Sequence, residues 1–180
     1  HEYLMLHRIK KENDANRDKW IGIGGKFEDG ESPEECVLRE TLERINGLAV
    51  FSYGFTPEGE LLLPVLNDRW MVQHAAKKGV RPILVLTPLD RSGVFSNYLI
   101  HTLLGNPAAQ TRLLQETETW MQRLGYEELN IDFEFILPED RDRFTHFVEL
   151  AADMLSVPVS TSLTAPKWIK SPQSSIMCSS

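Results

Sequence analysis

From residue 48 onward, short apolar runs alternate with longer stretches of helical periodicity, and this alternation limits the fold more than any other feature of the chain. Residues 48–55 read as a strand, closed by the turn Thr56-Pro57-Glu58-Gly59. A helix over 68–78 stops at Gly79, and residues 81–87 form a second strand. That strand is almost wholly apolar, as expected when both faces of a parallel sheet are covered. Asn106-Pro107 opens a long helix that runs to Leu124 and stops at Gly125. Residues 129–137 are expected as a third strand, 138–155 as its helix and 159–163 as a fourth strand. Strands alternating with helices specify a parallel α/β sheet. A closed (β/α)8 barrel takes about 250 residues, and the chain has 180. The expected fold is therefore an incomplete parallel (β/α) barrel-type sheet.

The region before residue 46 follows another pattern. Residues 3–9 are strand-like, 10–19 form a charged loop, and 20–23 are again β-like before Gly24-Gly25. Ser32, Pro33 and Glu35 then spell a helix start, with a capping hydroxyl, a proline at the first helical position and a capping box. Val37, Leu38, Thr41, Leu42 and Ile45 give this helix one apolar face, and Asn46-Gly47 is expected to end it. Glu40 and Glu43 lie three apart on it and can present carboxylates side by side. Such a cluster suits Mg²⁺, which takes oxygen ligands and shares them with substrate phosphates.

The spacing of Gly25, Glu31, Arg39-Glu40, Thr41 and Glu43 resembles the box of the Nudix hydrolases, and residues 3–8 and 19–25 look like the family's small 8-oxo-dGTP and nucleotide pyrophosphatase members. The resemblance implies a β-loop-helix segment in which Glu40 and Glu43 bind Mg²⁺ and help activate water. Two positions depart from the box. Arg44 stands where the resemblance implies a principal metal-binding Glu, and the closing glycine comes one residue late, at Gly47.

The second constellation is Asn130, Asp132 and Glu134. Side chains two apart on a strand share a face, so these three point together while Leu129, Ile131 and Phe133 point the other way. A row of polar groups directed at a barrel interior is costly unless its members bond one another or a ligand. Glu134 lies nearest the strand's carboxyl end, where barrel enzymes build their sites. A carboxyl beside another carboxylate tends to hold its proton, which suits a general acid.

This stretch resembles the Asp-x-Asp-x-Glu strand of family 18 glycosidases. Gly125-Tyr126 through Pro138-Glu139-Asp140-Arg141 looks more narrowly like the branch found in bacterial spore-germination and cell-wall glycosidases, in which Asn stands where Asn130 does. The similarity runs from about residue 42 to 155 and is weaker over 160–167. It implies substrate-assisted retaining hydrolysis of N-acetylglucosamine polymers such as peptidoglycan or chitin, with the substrate's N-acetyl group as nucleophile and no cofactor. By resemblance Glu134 protonates the glycosidic oxygen, Asp132 orients the N-acetyl group and Asn130 tunes Asp132. Tyr53, at a strand end, is a candidate for lining the sugar cleft, with packing between strand and helix as the equal alternative.

Together these readings divide the chain into a Nudix-like fragment (1–45, box 25–47), a partial glycosidase-like barrel (46–167) and a Ser-rich disordered tail (168–180). A Nudix pyrophosphohydrolase and a non-catalytic fusion product remain as alternatives to the glycosidase. The net charge of −7 argues against a nucleic-acid polymer as partner, because no basic excess is present to displace counterions. Cys36 and Cys178 make neither a disulfide framework nor a zinc site, and no apolar run approaches the ~18 residues of a membrane span. No signal peptide opens the chain, which leaves bacterial cytoplasm and spore or cell wall both open. His74, His101 and His146 read as surface or satisfied histidines, Trp70 and Trp120 as packing residues, and Glu116 and Glu118 as a solvated helix face.

Overall fold

The computed structural model describes residues 5–7, 20–22, 26–43, 45–64 and 68–161, in two compact units divided between Asn46 and Gly47. Gly25, Arg44, Cys178, the 10–19 loop and the 168–180 tail lie outside the described residues.

In the first unit, β1 (Met5–His7) pairs antiparallel with β2 (Trp20–Gly22), His7 opposite Trp20. Helix α1 spans Pro33–Leu42 and begins as its sequence requires: Ser32 Oγ accepts from Glu35 N at 3.2 Å, and Glu35 Oε2 accepts from Ser32 N at 2.9 Å. It ends at Leu42, with Glu43 as its last cap, short of the expected Asn46-Gly47 stop.

The second unit is a five-stranded sheet in the order β4-β3-β5-β6-β7. Strands β3 (Gly47–Phe55), β5 (Arg81–Leu86), β6 (Glu128–Ile131) and β7 (Val159–Thr161) run parallel, and β4 (Leu61–Leu62) joins the edge antiparallel to β3. The connections are α2 (Asp68–Lys77) between β3 and β5, then α3 (Asn97–Leu104) and α4 (Pro107–Leu124) before β6, then α5 (Arg141–Met154) before β7. Asn106 caps α4 by accepting from Ala109 N at 3.2 Å, and Gly125 ends it at φ +89°, a left-handed conformation that favours glycine. Leu84, Leu86, Leu129, Ile131 and Phe133 are buried on one side of the sheet in a common core with Leu103, Leu113, Phe144 and Phe147 from the helices.

Three elements depart from the sequence reading. Helix α3 was expected only as a helix carrying His101, without bounds, although Leu99, Ile100, Leu103 and Leu104 give it a buried stripe. The segment from 138 to 155 opens with a 3-10 turn, Pro138–Asp140, before α5 begins. Strand β6 ends at Ile131 rather than near 137, because its partner β5 ends at Leu86, opposite Ile131; farther on, Phe135 takes φ +54°.

A bulge in β3 decides where its aromatic residues point. Val50 pairs with Leu84 and Tyr53 with Leu86, so Phe51 and Ser52 together oppose Val85. An extra residue in a strand reverses the alternation beyond it. Tyr53 and Phe55 are thereby turned into the core, both fully buried, whereas Phe51 is 56% exposed. The next residue, Gly54, lies against the chain after β5, where a Cβ would come within 2.2 Å of Leu89 O.

The Tyr53 hydroxyl donates to Asp68 Oδ2 and accepts from Trp120 Nε1 at 2.8 Å, while Tyr126 donates to the same carboxylate oxygen at 3.2 Å. This buried set ties β3, α2, α4 and the approach to β6 together. Removing one hydroxyl leaves Asp68 and Trp120 each short of a partner, which costs about 1–3 kcal/mol. Tyr53→Phe is expected to lower unfolding stability by about that amount in denaturant titration, and an unchanged midpoint would contradict this account of the core.

Candidate active site

Parallel strands present their carboxyl ends together, and that end of an α/β sheet is where ligands bind. A cleft of about 550 Å³ opens there. Asp132 and Glu134 line it from just beyond β6, Phe51 from the bulge of β3, and Pro88, Phe95 and Asn97 from the segment between β5 and α3. Phe135 completes the wall. Phe95 and Phe135 are 61% and 76% exposed, so with Phe51 the cleft has three accessible aromatic rings beside two carboxylates.

The expected row is thus divided in character. Asn130 is still within β6, half-buried, and donates from Nδ2 to Ser160 Oγ on β7 at 3.0 Å. Asp132 is fixed through its backbone, its N–H donating to Leu86 O at 2.9 Å. Glu134 lies past the strand and is exposed. Burial still alternates from Leu129 to Glu134, so the polar side chains avoid the core that holds Leu129, Ile131 and Phe133. Phe135, at φ +54°, holds a conformation that costs a side-chain-bearing residue roughly 1–2 kcal/mol, immediately after the outermost carboxylate.

Tyr53 does not take the position expected of it. The bulge turns its ring to the helix-covered side, where its hydroxyl is consumed by Asp68 and Trp120; burial and the bond to Asp68 push its pKa up. Phe51, two residues earlier, faces the cleft instead. The sequence reading also missed Phe95, Asn97 and Phe135. Two exposed aromatic residues beside a strand's carboxyl end were the available signal, but the bulge and the left-handed turn that aim Phe51 and Phe135 had none.

Of the remaining residues singled out in the sequence, His146 is exposed, and Trp70, expected to pack in the interior, is instead 37% exposed with its ring beside that of His74. His74 Nδ1 lies 2.8 Å from Trp70 O, and His101 Nδ1 lies 2.6 Å from the buried Asp140 Oδ2. Trp120 is partly buried and packs against the core. Glu116 and Glu118 do more than face water: Glu116 Oε2 accepts from Leu61 N on β4 at 2.8 Å, and Glu118 Oε1 accepts from Ser156 Oγ at 2.6 Å.

In the first unit the acidic residues converge on a guanidinium. Arg39 bonds Glu31 through Nε at 2.8 Å and Nη2 at 3.2 Å, and Glu40 through Nη1 at 3.0 Å, with Glu43 Oε1 at 3.8 Å. These carboxylates already surround a cation, and no group of three or more His, Cys, Asp or Glu side chains among the described residues could hold a metal ion. Glu40 and Glu43 as placed do not fit a Mg²⁺ site.

Comparison with known proteins finds two kinds of relative. The NUDIX domain family model matches residues 1–81, which carries it past the boundary at Asn46 into the second unit. The cortical fragment-lytic enzyme of Bacillus subtilis is 28% identical over 134 residues, covering 73% of this chain and 30% of that protein. The sporulation-specific glycosylase candidate YdhD of the same organism is 31% identical over 134 residues, 69% of this chain and 31% of that protein. Among solved structures, the spore cortex-lytic enzyme SleL of Bacillus cereus superposes with a TM-score of 0.64 at 25% identity, over 69% of this chain and 29% of that one. The chain resembles two families in succession. Its front is Nudix-like, and its larger part is similar to a sporulation-specific glycosylase and to spore cortex-lytic enzymes. A chitinase from Chromobacterium violaceum, with a TM-score of 0.63 at 18% identity over 73% of this chain and 42% of that one, shares the fold of the glycosidase-like unit. The chain spans about a third of the length of the curated relatives it matches.

The Arg39 cluster has a measurable consequence. Its hydrogen bond to Arg39, then that to the Glu28 backbone N–H, holds the Glu31 carboxyl at about 2 against an ordinary 4.5. A lowered folded-state pKa means the contribution of Glu31 to stability is complete above pH 4.5 and is lost as pH falls through about 2. Carbon-detected NMR titration should place the Glu31 midpoint near 2 and show it rising toward 4.5 in Arg39→Ala; an ordinary midpoint in the wild type would contradict the cluster.

Proposed function

We propose that the chain is a glycoside hydrolase of the family 18 type, acting on N-acetylglucosamine-containing polymers such as peptidoglycan or chitin. The observation that carries this reading is the placement of Asp132 and Glu134 in one cleft at the carboxyl end of a parallel sheet, between exposed aromatic rings. The likeness to cortex-lytic enzymes and a chitinase supports the choice of polymer.

In this reading Glu134, the outermost and most exposed of the row, protonates the glycosidic oxygen as the bond to the leaving sugar breaks. The electrons that close the new bond at the anomeric carbon come from the acetamido oxygen of the substrate itself. Asp132 orients that acetamido group and balances the positive charge it acquires. Asn130 tunes Asp132. Water then attacks the anomeric carbon from the face the leaving group vacated, Glu134 takes its proton, and the configuration is retained. Exposed phenyl rings on either side suit the apolar faces of pyranose rings. No cofactor enters this chemistry.

A Nudix pyrophosphohydrolase is the second reading, favoured by the family match over residues 1–81. It requires Mg²⁺ at Glu40 and Glu43, where Arg39 already occupies the space between the carboxylates.

One assay separates the readings. The full chain should release chromophore from a chromogenic N-acetylglucosamine oligomer, and Glu134→Gln should reduce the rate on the order of 10²–10⁴-fold, the range for loss of a general acid. Equal rates in both proteins would refute the glycosidase. The same preparation should show no Mg²⁺-dependent hydrolysis of 8-oxo-dGTP; turnover that disappears in Glu40→Gln would establish the Nudix reading in its place.

A further inference from the structure

On the sheet face that carries Asn130, three further polar residues cross three strands: Arg81 on β5, Glu128 on β6 and Ser160 on β7. Ser160 pairs with Asn130 across β6 and β7, and Glu128 lies one alternation before Asn130 on its own strand. Glu128 and Ser160 are 8% and 4% exposed. Arg81 Nε lies 3.0 Å from Glu128 Oε2, an ion pair that is not aligned as a hydrogen bond. Ser160 Oγ lies 2.8 Å from Glu128 Oε1, and Asn130 Nδ2 lies 3.0 Å from Ser160 Oγ.

The direction of each bond in this chain follows from what each group can do. A carboxylate only accepts, so the Ser160 hydroxyl donates to Glu128. The Leu129 carbonyl, at 3.5 Å, is a longer and neutral competitor for the same proton. With its one proton committed, Ser160 offers Asn130 only lone pairs. Asn130 must therefore present its NH₂ group to β7, and the planarity of the amide turns its Oδ1 away. Without the carboxylate the Ser160 hydroxyl could serve as donor or acceptor, and the amide could sit either way round. A buried carboxylate is also more costly than the apolar Ile83 and Val85 that share this face, so cohesion of the sheet does not require one here.

We infer that Glu128, acting through Ser160, is a positioning residue that fixes the carboxamide of Asn130 with its oxygen toward the catalytic row, so that Asn130 meets its neighbours there as a hydrogen-bond acceptor. Arg81, 3.0 Å from Glu128 Oε2, holds that carboxylate in place. This inference rests on the glycosidase reading for its consequence in catalysis, but the geometry it claims is testable without turnover.

Three variants of the full chain test it on the chromogenic N-acetylglucosamine oligomer. Ser160→Ala and Glu128→Gln should each lower kcat on the order of tenfold, the worth of one hydrogen bond to a charged group, with KM little changed. Ser160→Thr, which keeps the hydroxyl, should restore kcat. Equal losses in the Ala and Thr variants, or an effect on KM alone, would overturn the inference. The carboxamide protons of Asn130, assigned by their absence in Asn130→Asp, give the second readout. They should exchange slowly with water in the wild type and Ser160→Thr, and faster in Ser160→Ala and Glu128→Gln. Exchange that is the same in all four proteins would also overturn it. A wild type with no turnover but with this exchange pattern intact would count against the glycosidase and leave the positioning network standing.

Discussion

The site depends on β6 being hydrogen-bonded in parallel on both sides, to β5 through Ile83–Leu86 and to β7 through Val159–Thr161. Pairing on both edges leaves the strand no freedom of register, and a slip of one residue would carry Asn130 and Asp132 into the core and bring Ile131 and Phe133 out. Burial of Leu129, Ile131 and Phe133 against α5 residues such as Phe144 and Phe147 enforces the same choice from the other side, with the Phe133 and Phe147 rings stacked 5.9 Å apart. Asp132 and Glu134 therefore face the cleft as a consequence of packing on the opposite face. The functional side chains need contribute little to their own placement.

What could be read from the sequence was local or periodic. The Ser32-Pro33-Glu35 start of α1, the Asn106 and Gly125 ends of α4 and the apolar strand at β5 are set by residues adjacent to the features they make, and each is found where its signal lies. The polar alternation through Asn130, Asp132 and Glu134 was legible for the same reason. The errors share a different cause. The reversal of β3 at Phe51 and Ser52 arises from pairing with β5, thirty residues on, and it exchanged Tyr53 for Phe51 in the cleft. Strand β6 ends where its partner β5 does, opposite Leu86, so nothing near Ile131 in the chain marked its end, and Phe135 beyond it occupies a left-handed conformation that its residue type does not favour. Helix α3 follows a segment containing Pro88 and Gly93, and its N-terminal Ser96 makes no side-chain cap. Its start therefore lacked the signal that exposed α1 and α4.

The two units handle acidic residues in opposite ways. In α1 the carboxylates of Glu31, Glu40 and Glu43 gather round Arg39, and a site whose box pattern implies a metal is filled by a guanidinium. Beyond β6 the carboxylates of Asp132 and Glu134 border open space between phenyl rings. Clustered acids with an internal cation are complete in themselves, whereas acids lining a cleft are placed to act on something that enters it. That contrast, more than either family likeness, favours the proposed glycosidase over the Nudix alternative.

The most direct test of this account is a titration of the ¹⁵N-labelled full chain with tri-N-acetylchitotriose, followed by backbone NMR. The account expects saturable shifts that converge on Phe51, Phe95, Asn97 and the segment from Asp132 to Phe135. Shifts confined to other surfaces, or none at saturation of a known chitin-binding control, would contradict it.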